Sequence, residues 1–365
     1  MILKSFRTPK ALVAVAVTLA LLIGLSPVGA QADVKRLSYA AANPPGPSGI
    51  NNALAWWAGE IHQRTGGTLA VEFFHMGSLV KLKDALEGVS SGVADMAYVI
   101  PAYTASKLPL WNLATTSQGP GDEWVAVESW RRIRDSTPAI EEEEWRNNLK
   151  YIGHYSLGPV VLLSKDRPYR SPDDLDGDKV RFPGSYARAA REQGWDVTSV
   201  NLTFPDIYTA LERGTIDGTM TYMGHIPTYR HNEVASHLVE PAVGQNMNTI
   251  VMNRDTWDSL SAEEQAVFDT LRDELLRRLA RGNLEERQTV REQLKTDPEN
   301  PVQFHTINDT QRDQWERGMS RASMDKVAQS AKYAPTATDI NERYMGMLEQ
   351  VEQEIADGGY PWDAR

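Results

Sequence analysis

Two stretches far apart in the chain carry the same punctuation. "ALEGVSSGVADMAYV" (85–99) and "ALERGTIDGTMTYM" (210–223) each read as an amphipathic helix, a glycine, then a strand. Gly92 and Gly214 stand where a helix C-terminus favours a left-handed residue, and the strands are expected from Val93 and Thr215. An aspartate follows each glycine three residues on, Asp95 and Asp217. The chain also opens on a strand-helix-strand order. "RLSYAAA" (36–42) alternates as a strand, and "NPPGPSG" (43–49) is a turn. Residues 51–64 place Ala53, Leu54, Trp57 and Ile61 on one helical face, and "LAVEFF" (69–74) is the next strand. Helical crossovers between strands imply a parallel sheet in an α/β domain. Two α/β halves predict a two-domain clamp, with its ligand at the carboxyl ends of the strands. Tyr98 and Tyr222, a few residues past each aspartate, would face that cleft.

The first 32 residues are not part of this fold. Lys4, Arg7 and Lys10 precede an apolar run over 11–25, Pro27 interrupts it, and "AQA" (30–32) offers a small-x-small cleavage site. This is the layout of a secretory leader, and its apolar run is short for a membrane span. The whole chain carries a net charge of −11, and a leader with three basic and no acidic residues leaves the remainder near −14. That balance argues against nucleic acid and anionic membrane surfaces as partners. An exported chain without a cysteine is held by its core alone, and thiol chemistry is excluded. The expected organisation is a leader (1–32), a first α/β domain (33–154, completed by about 240–260) and a second (155–239). A long helix bracing both domains (260–295) and C-terminal helices (296–365) follow. Ser261 and Glu264 form a capping box for the long helix, whose apolar positions fade after Leu279 and leave a solvated second half.

Within "GDKVRFPGS" (177–185), Arg181 lies between Val180 and Phe182 of a buried strand. Arginine is almost never fully buried without a partner. Its pattern is equally compatible with an internal Asp or Glu and with an anion from outside. Many large rings, among them Tyr103, Tyr155, Tyr186, Phe204, Tyr208, Tyr222 and Tyr229, are available to the core and to a pocket wall.

Other motifs point to bland roles. "GVSSG" (88–92) matches the nucleophile-elbow pattern, but the elbow needs a strand before the serine and a helix after it, the reverse of the order here. His225, His231 and His237 are not spaced for one helix face, and exposed or capping roles are expected. The acids of "SPDDLDGDKV" lack the length and terminal glutamate of a calcium loop; Ser171 and Pro172 mark a helix start instead. No metal or cofactor is expected.

Five stretches in order resemble the extracytoplasmic substrate-binding subunit of tripartite ATP-independent periplasmic (TRAP) transporters. They are "RTGGTLAVEFFHMGSL", "ALEGVSSGVADM", "SPDDLDGDKVRFPGS", "FPDIYTALERGTIDG" and "VMNRDTWDSLSAEEQ", within a match over roughly 36–275. The resemblance implies an α/β, two-domain periplasmic binding protein-like clamp: a periplasmic, non-enzymatic solute-binding protein that delivers a small organic acid to TRAP permease subunits. It also implies that Arg181 grips the ligand carboxylate. Many members carry a second arginine near Val160 and an asparagine near Thr221; this chain has neither. The departure points to a monocarboxylate with an apolar or aromatic body. The candidate ligand contacts are Arg181, Tyr98, Tyr155, Phe182, Thr221, Tyr222 and Asn246. A ligand-binding protein serving a sensor receptor would share fold and site, and a secreted hydrolase would need a triad or metal set that the sequence does not place.

The leader makes a direct prediction. N-terminal sequencing of the exported protein should find the chain starting just after residues 30–32; secreted material beginning at Met1 would refute it.

Overall fold

The computed structural model describes residues 34–119, 121–242 and 244–363; the leader read at 1–32 lies outside the described residues. In chain order the elements are β1 Lys35–Ala40, α1 Gly49–Arg64, β2 Leu69–Phe74, α2 Ala85–Ser90, β3 Met96–Val99, α3 Glu123–Asp135, α4 Pro138–Arg146 and β4 Leu149–Ser156. Next come β5 Val160–Ser164, β6 Asp178–Arg181, α5 Gly184–Glu192, β7 Val197–Val200, α6 Ile207–Glu212, β8 Gly218–Tyr222, α7 His225–Thr228 and β9 His237–Val239. The chain continues with β10 Met247–Asn253, α8 Arg254–Asp258, α9 Ala262–Thr296, β11 Gln303–His305, α10 Asp309–Ser330 and α11 Ala337–Gly358.

Two sheets result, ordered β2-β1-β3-β10-β4 and β11-β9-β5-β8-β6-β7. The expectation of parallel sheets holds only for part of each. Strands β2, β1 and β3 are parallel, as are β7, β6 and β8, but β10 runs antiparallel to both its neighbours and β5 to both of its own. The reason is connectivity. β10 enters the first sheet from β9 of the second, and β5 enters the second from β4 of the first, so no helical crossover dictates their direction.

The repeated helix–glycine–strand device recurs in three dimensions. Gly92 and Gly214 have φ of 77° and 67°, where a side chain would be strained. The strands begin later than the sequence suggests, at Met96 and Gly218. The two aspartates have matching tasks. Asp95 accepts from the backbone N–H of Ser38 on β1 (2.8 Å), and Asp217 from that of Lys179 on β6 (2.9 Å). Each aspartate thus pins the strand beside its own.

The long helix α9 starts on the capping box of Ser261 and Glu264. Its buried positions do not stop at Leu279: Asn283, Leu284, Val290 and Leu294 are also buried. The first part packs on α1 and β4, and the end is tied to the second sheet, where the Val302 N–H donates to the Leu294 carbonyl (2.7 Å) just before β11. Strand β11 itself was not foreseen in the C-terminal segment. α10 then packs on α5 of the second sheet and α11 on α3 of the first, so the chain returns to both halves.

Helices α1 and α9 meet at Gly49 and Gly282. A Cβ on Gly282 would come within 2.8 Å of the Gly49 carbonyl oxygen, and one on Gly49 within 2.1 Å of the Gly282 oxygen. Both obstacles are backbone, which cannot swing aside. Gly282→Ala should therefore destabilise the fold by about 1–3 kcal/mol, as for an overpacked contact. Urea unfolding of the variant checks this; an unchanged midpoint would show that the helices separate freely.

Candidate functional site

The site forms where the two sheets meet. On the first sheet, the register pairs Tyr39 with Met96, Tyr98 with Ile250 and Tyr155 with Asn248. Paired residues and their second neighbours share one face, so Tyr39, Tyr98, Asn248 and Tyr155 lie together. Tyr98 and Tyr155 stack with centroids 5.3 Å apart. From the second sheet come Arg181 at the end of β6, Tyr222 at the end of β8, Phe204, and His225, Tyr229 and His231 on and after α7. Phe204 lies 4.5 Å from His225, and His225 stands edge-on to Tyr222 and Tyr229 at 5.5 and 5.3 Å. The two walls face each other closely enough that Tyr229, Tyr103 and Tyr222 each raise the pKa of Tyr98, after burial itself. The cleft is shut: Arg181 is 2% exposed and Tyr98 3%.

Arg181 has no carboxylate partner among the described residues. Its Nε donates to the Leu202 carbonyl (3.1 Å) and Nη1 to the Met220 carbonyl (2.8 Å), and its guanidinium lies over the Phe204 ring at 4.8 Å. Burial lowers its pKa, opposed only by the neighbouring hydroxyls of Tyr103 and Tyr222. The internal-acid explanation of this residue is thereby removed. A desolvated cation held by neutral groups is incomplete electrostatically and complementary to an anion.

Cavities border this cluster on two sides. One of 440 Å³ runs from Tyr98 out between Ala40–Ala42 and Thr203–Asp206, with Lys81 and Lys83 in its wall. The other, of 200 Å³, lies between the proline-rich turn and α7 and touches Tyr222 and His225. A larger groove of 770 Å³ along α9 is remote from Arg181, and its arginines are already engaged with Glu274 and Glu285.

Of the residues singled out in the sequence, Arg181, Tyr98, Tyr155 and Tyr222 converge here, and Asn246 reaches the cluster at the Tyr222 hydroxyl. Thr221 shares a sheet face with Arg181 through the β6–β8 register, and its Oγ1 is buried with no hydrogen-bond partner among the described residues. Phe182 departs from the set. It packs toward Trp195 (6.4 Å), which in turn meets Trp315, because successive strand residues point to opposite sides. The exposed or capping role expected of the histidines is also corrected: His225 and His231 are buried. The spacing of Tyr222, His225 and Tyr229, three and four residues apart, was the signal available for them. Ser90 ends α2, two residues before Gly92, and donates to the Asn147 carbonyl (2.7 Å). No group of three or more potential metal ligands gathers among the described residues.

The model of a bacterial extracellular solute-binding protein family, family 7 (DctP), matches residues 41–330. The chain belongs to that family. An uncharacterised Salmonella typhimurium protein, YiiZ, is 23% identical over 256 residues, 69% of this chain and 76% of the relative. The ectoine-binding periplasmic protein TeaA of Halomonas elongata is 24% identical over 207 residues, 56% and 60% of the two chains. Among solved structures, a TRAP periplasmic solute-binding protein from Bordetella bronchiseptica with bound mandelate has a TM-score of 0.75 at 16% identity, covering 87% of this chain and 99% of that one. One from Rhodoferax ferrireducens with copurified benzoate has a TM-score of 0.74 at 18% identity, covering 88% and 99%. The two-sheet architecture is the TRAP solute-binding fold. Family 7 proteins are periplasmic transport components, and among the described residues no helix is long and apolar enough to cross a membrane.

The buried histidines make stability depend on pH. Burial, followed by the charges of His231 and Arg181, lowers His225 from 6.5 to about 3; burial and Arg181 lower His231 to about 4. Because the folded pKa lies below the unfolded one, the contribution is complete above about pH 6.5 and is lost as pH falls toward 4. His225→Leu should flatten the fall in unfolding stability between pH 7 and 4. Equal pH slopes for variant and wild type would count against this.

Proposed function

We propose that this protein captures a small organic acid between its two α/β domains and delivers it to the membrane subunits of a TRAP transporter. The carboxylate would sit on Arg181, with the aromatic walls around its body. The proposed exported form begins after the leader. The observation that carries this reading is the buried guanidinium of Arg181, held by two carbonyls and an aromatic face and by no acid among the described residues. A guanidinium matches a carboxylate with two parallel hydrogen bonds, and closure excludes the water that would screen them. Arg181 as the one buried cation of the cluster among the described residues favours a monocarboxylate, and Tyr98, Tyr155, Tyr222 and Phe204 favour a ring or other apolar body. The mandelate and benzoate in proteins of the same fold agree with that class.

A thermal-shift screen of organic acids tests the reading. A true ligand at 100 times its Kd adds about 2.7 kcal/mol of stability, and aromatic monocarboxylates should shift Tm more than C4-dicarboxylates. Arg181→Ala should lose about 3–5 kcal/mol of binding, with Arg181→Lys losing less. Without ligand both should remain folded, and Arg181→Met should match or exceed wild-type stability because it removes an uncompensated buried charge. Collapse of the unliganded Arg181→Met fold, or ligand binding retained in Arg181→Ala, would overturn the assignment.

A further inference from the structure

The wall facing Arg181 carries a polar group whose chemistry narrows the ligand further. Asn248 lies on β10 opposite Tyr155 and is fully buried. Its Nδ2 donates to the Asn246 Oδ1. Asn246 in turn lies with its amide against the Tyr222 hydroxyl of the other sheet. Asn248 thus gives its donor to Asn246, and the Asn246 amide meets a hydroxyl, which can accept from it. Nδ2 of Asn248 points along the chain, and its Oδ1 is left as an acceptor. That oxygen is buried and has no hydrogen-bond partner among the described residues. The Tyr39 hydroxyl, on the same sheet face, is likewise buried without one.

A buried carbonyl oxygen accepts and cannot donate. A second ligand carboxylate would place acceptor against acceptor at this wall. A pure hydrocarbon body would leave the oxygen stranded, at the full desolvation cost of a polar group. The group that satisfies it is an O–H or N–H brought by the ligand. Such a contact discriminates strongly, because the analogue lacking the donor leaves the site's polar atom unpaired.

Resting on the reading of Arg181 as carboxylate anchor, we infer that the ligand class is a carboxylate bearing an uncharged hydrogen-bond donor, a hydroxyl or amine-type N–H, and that Asn248 is the residue selecting it. The Asn246–Tyr222 contact gives this selection a second consequence. Asn248 and Asn246 belong to the first sheet and its approach, and Tyr222 to the second, so the amide pair that presents Oδ1 is braced across the cleft. Recognition of the donor and closure of the clamp then favour one another.

The test uses matched ligand pairs on the full mature protein by titration calorimetry: benzoate against 3- and 4-hydroxybenzoate, and phenylacetate against mandelate. Wild type should bind at least one hydroxylated partner more than about tenfold tighter than its parent acid. Asn248→Leu, close in volume and unable to accept, should reduce that preference to less than about threefold while retaining the parent acid. If Asn248→Leu fails to fold, the wild-type comparison still tests the ligand class, and Asn248→Ala, which also removes the acceptor, tests the residue. Parent and hydroxylated acids that bind alike in wild type, both lost in Arg181→Ala, overturn the role of Asn248 and leave the carboxylate anchor standing. Failure of every acid to bind, or binding unaffected by Arg181→Ala, removes the anchor and this inference with it.

Discussion

A desolvated positive charge with no negative partner among the described residues organises the centre of this molecule. Among the described residues no carboxylate neutralises the arginine between Val180 and Phe182. The surrounding groups lower the cost without removing it. Two peptide carbonyls accept hydrogen bonds, an aromatic face offers its electron density, and the nearby histidines stay neutral because the same charge and the same burial hold their pKa down. The tyrosines are likewise held protonated by burial. The cleft is therefore a neutral, hydrogen-bonding enclosure around one cation. In a chain whose overall balance is strongly acidic, that locality is what would let an anion prefer this position over bulk water.

The architecture that creates the enclosure was largely legible in the sequence. Gly92 with Asp95 and Gly214 with Asp217 mark equivalent turns, and the aspartates tie equivalent neighbouring strands. The capping box of Ser261 and Glu264 located the start of the long helix. Such features are local: they depend on backbone conformation and on residues a few positions apart. The antiparallel insertion of β10 and β5 was not legible, because it follows from the chain crossing between halves, and no residue pattern encodes the direction of an arriving strand. The same applies to β11, a three-residue strand whose identity depends on the edge of β9 it joins.

For the site, residue type was informative and direction was not. Arg181 stood out because a charge inside an apolar strand demands an explanation. Phe182 looked equally suitable as an aromatic wall, and one step of strand alternation sends it to Trp195 instead. Histidine gave the reverse error. His154 is a satisfied core residue, donating from Nε2 to the Val127 carbonyl (2.9 Å) while its Nδ1 contacts the Tyr151 hydroxyl (2.6 Å). His225 is also buried and has an Nδ1 with no partner among the described residues. Sequence alone does not separate these two, because the difference lies in which distant side chains arrive beside the ring.

The route of α9 has a consequence for the molecule as a heritable unit. The helix begins on the first sheet, passes Gly49 at a backbone contact, and hands the chain to β11 on the second; along the way Arg287 pairs with the buried Glu123 (2.9 Å). The later return of α11 to α3 closes the circuit. Neither lobe is then a contiguous segment that a recombination event or a truncation can lift out whole. Any new specificity must arise by substitution within the cleft rather than by exchange of a half, and the two lobes must be inherited, translated and folded as one.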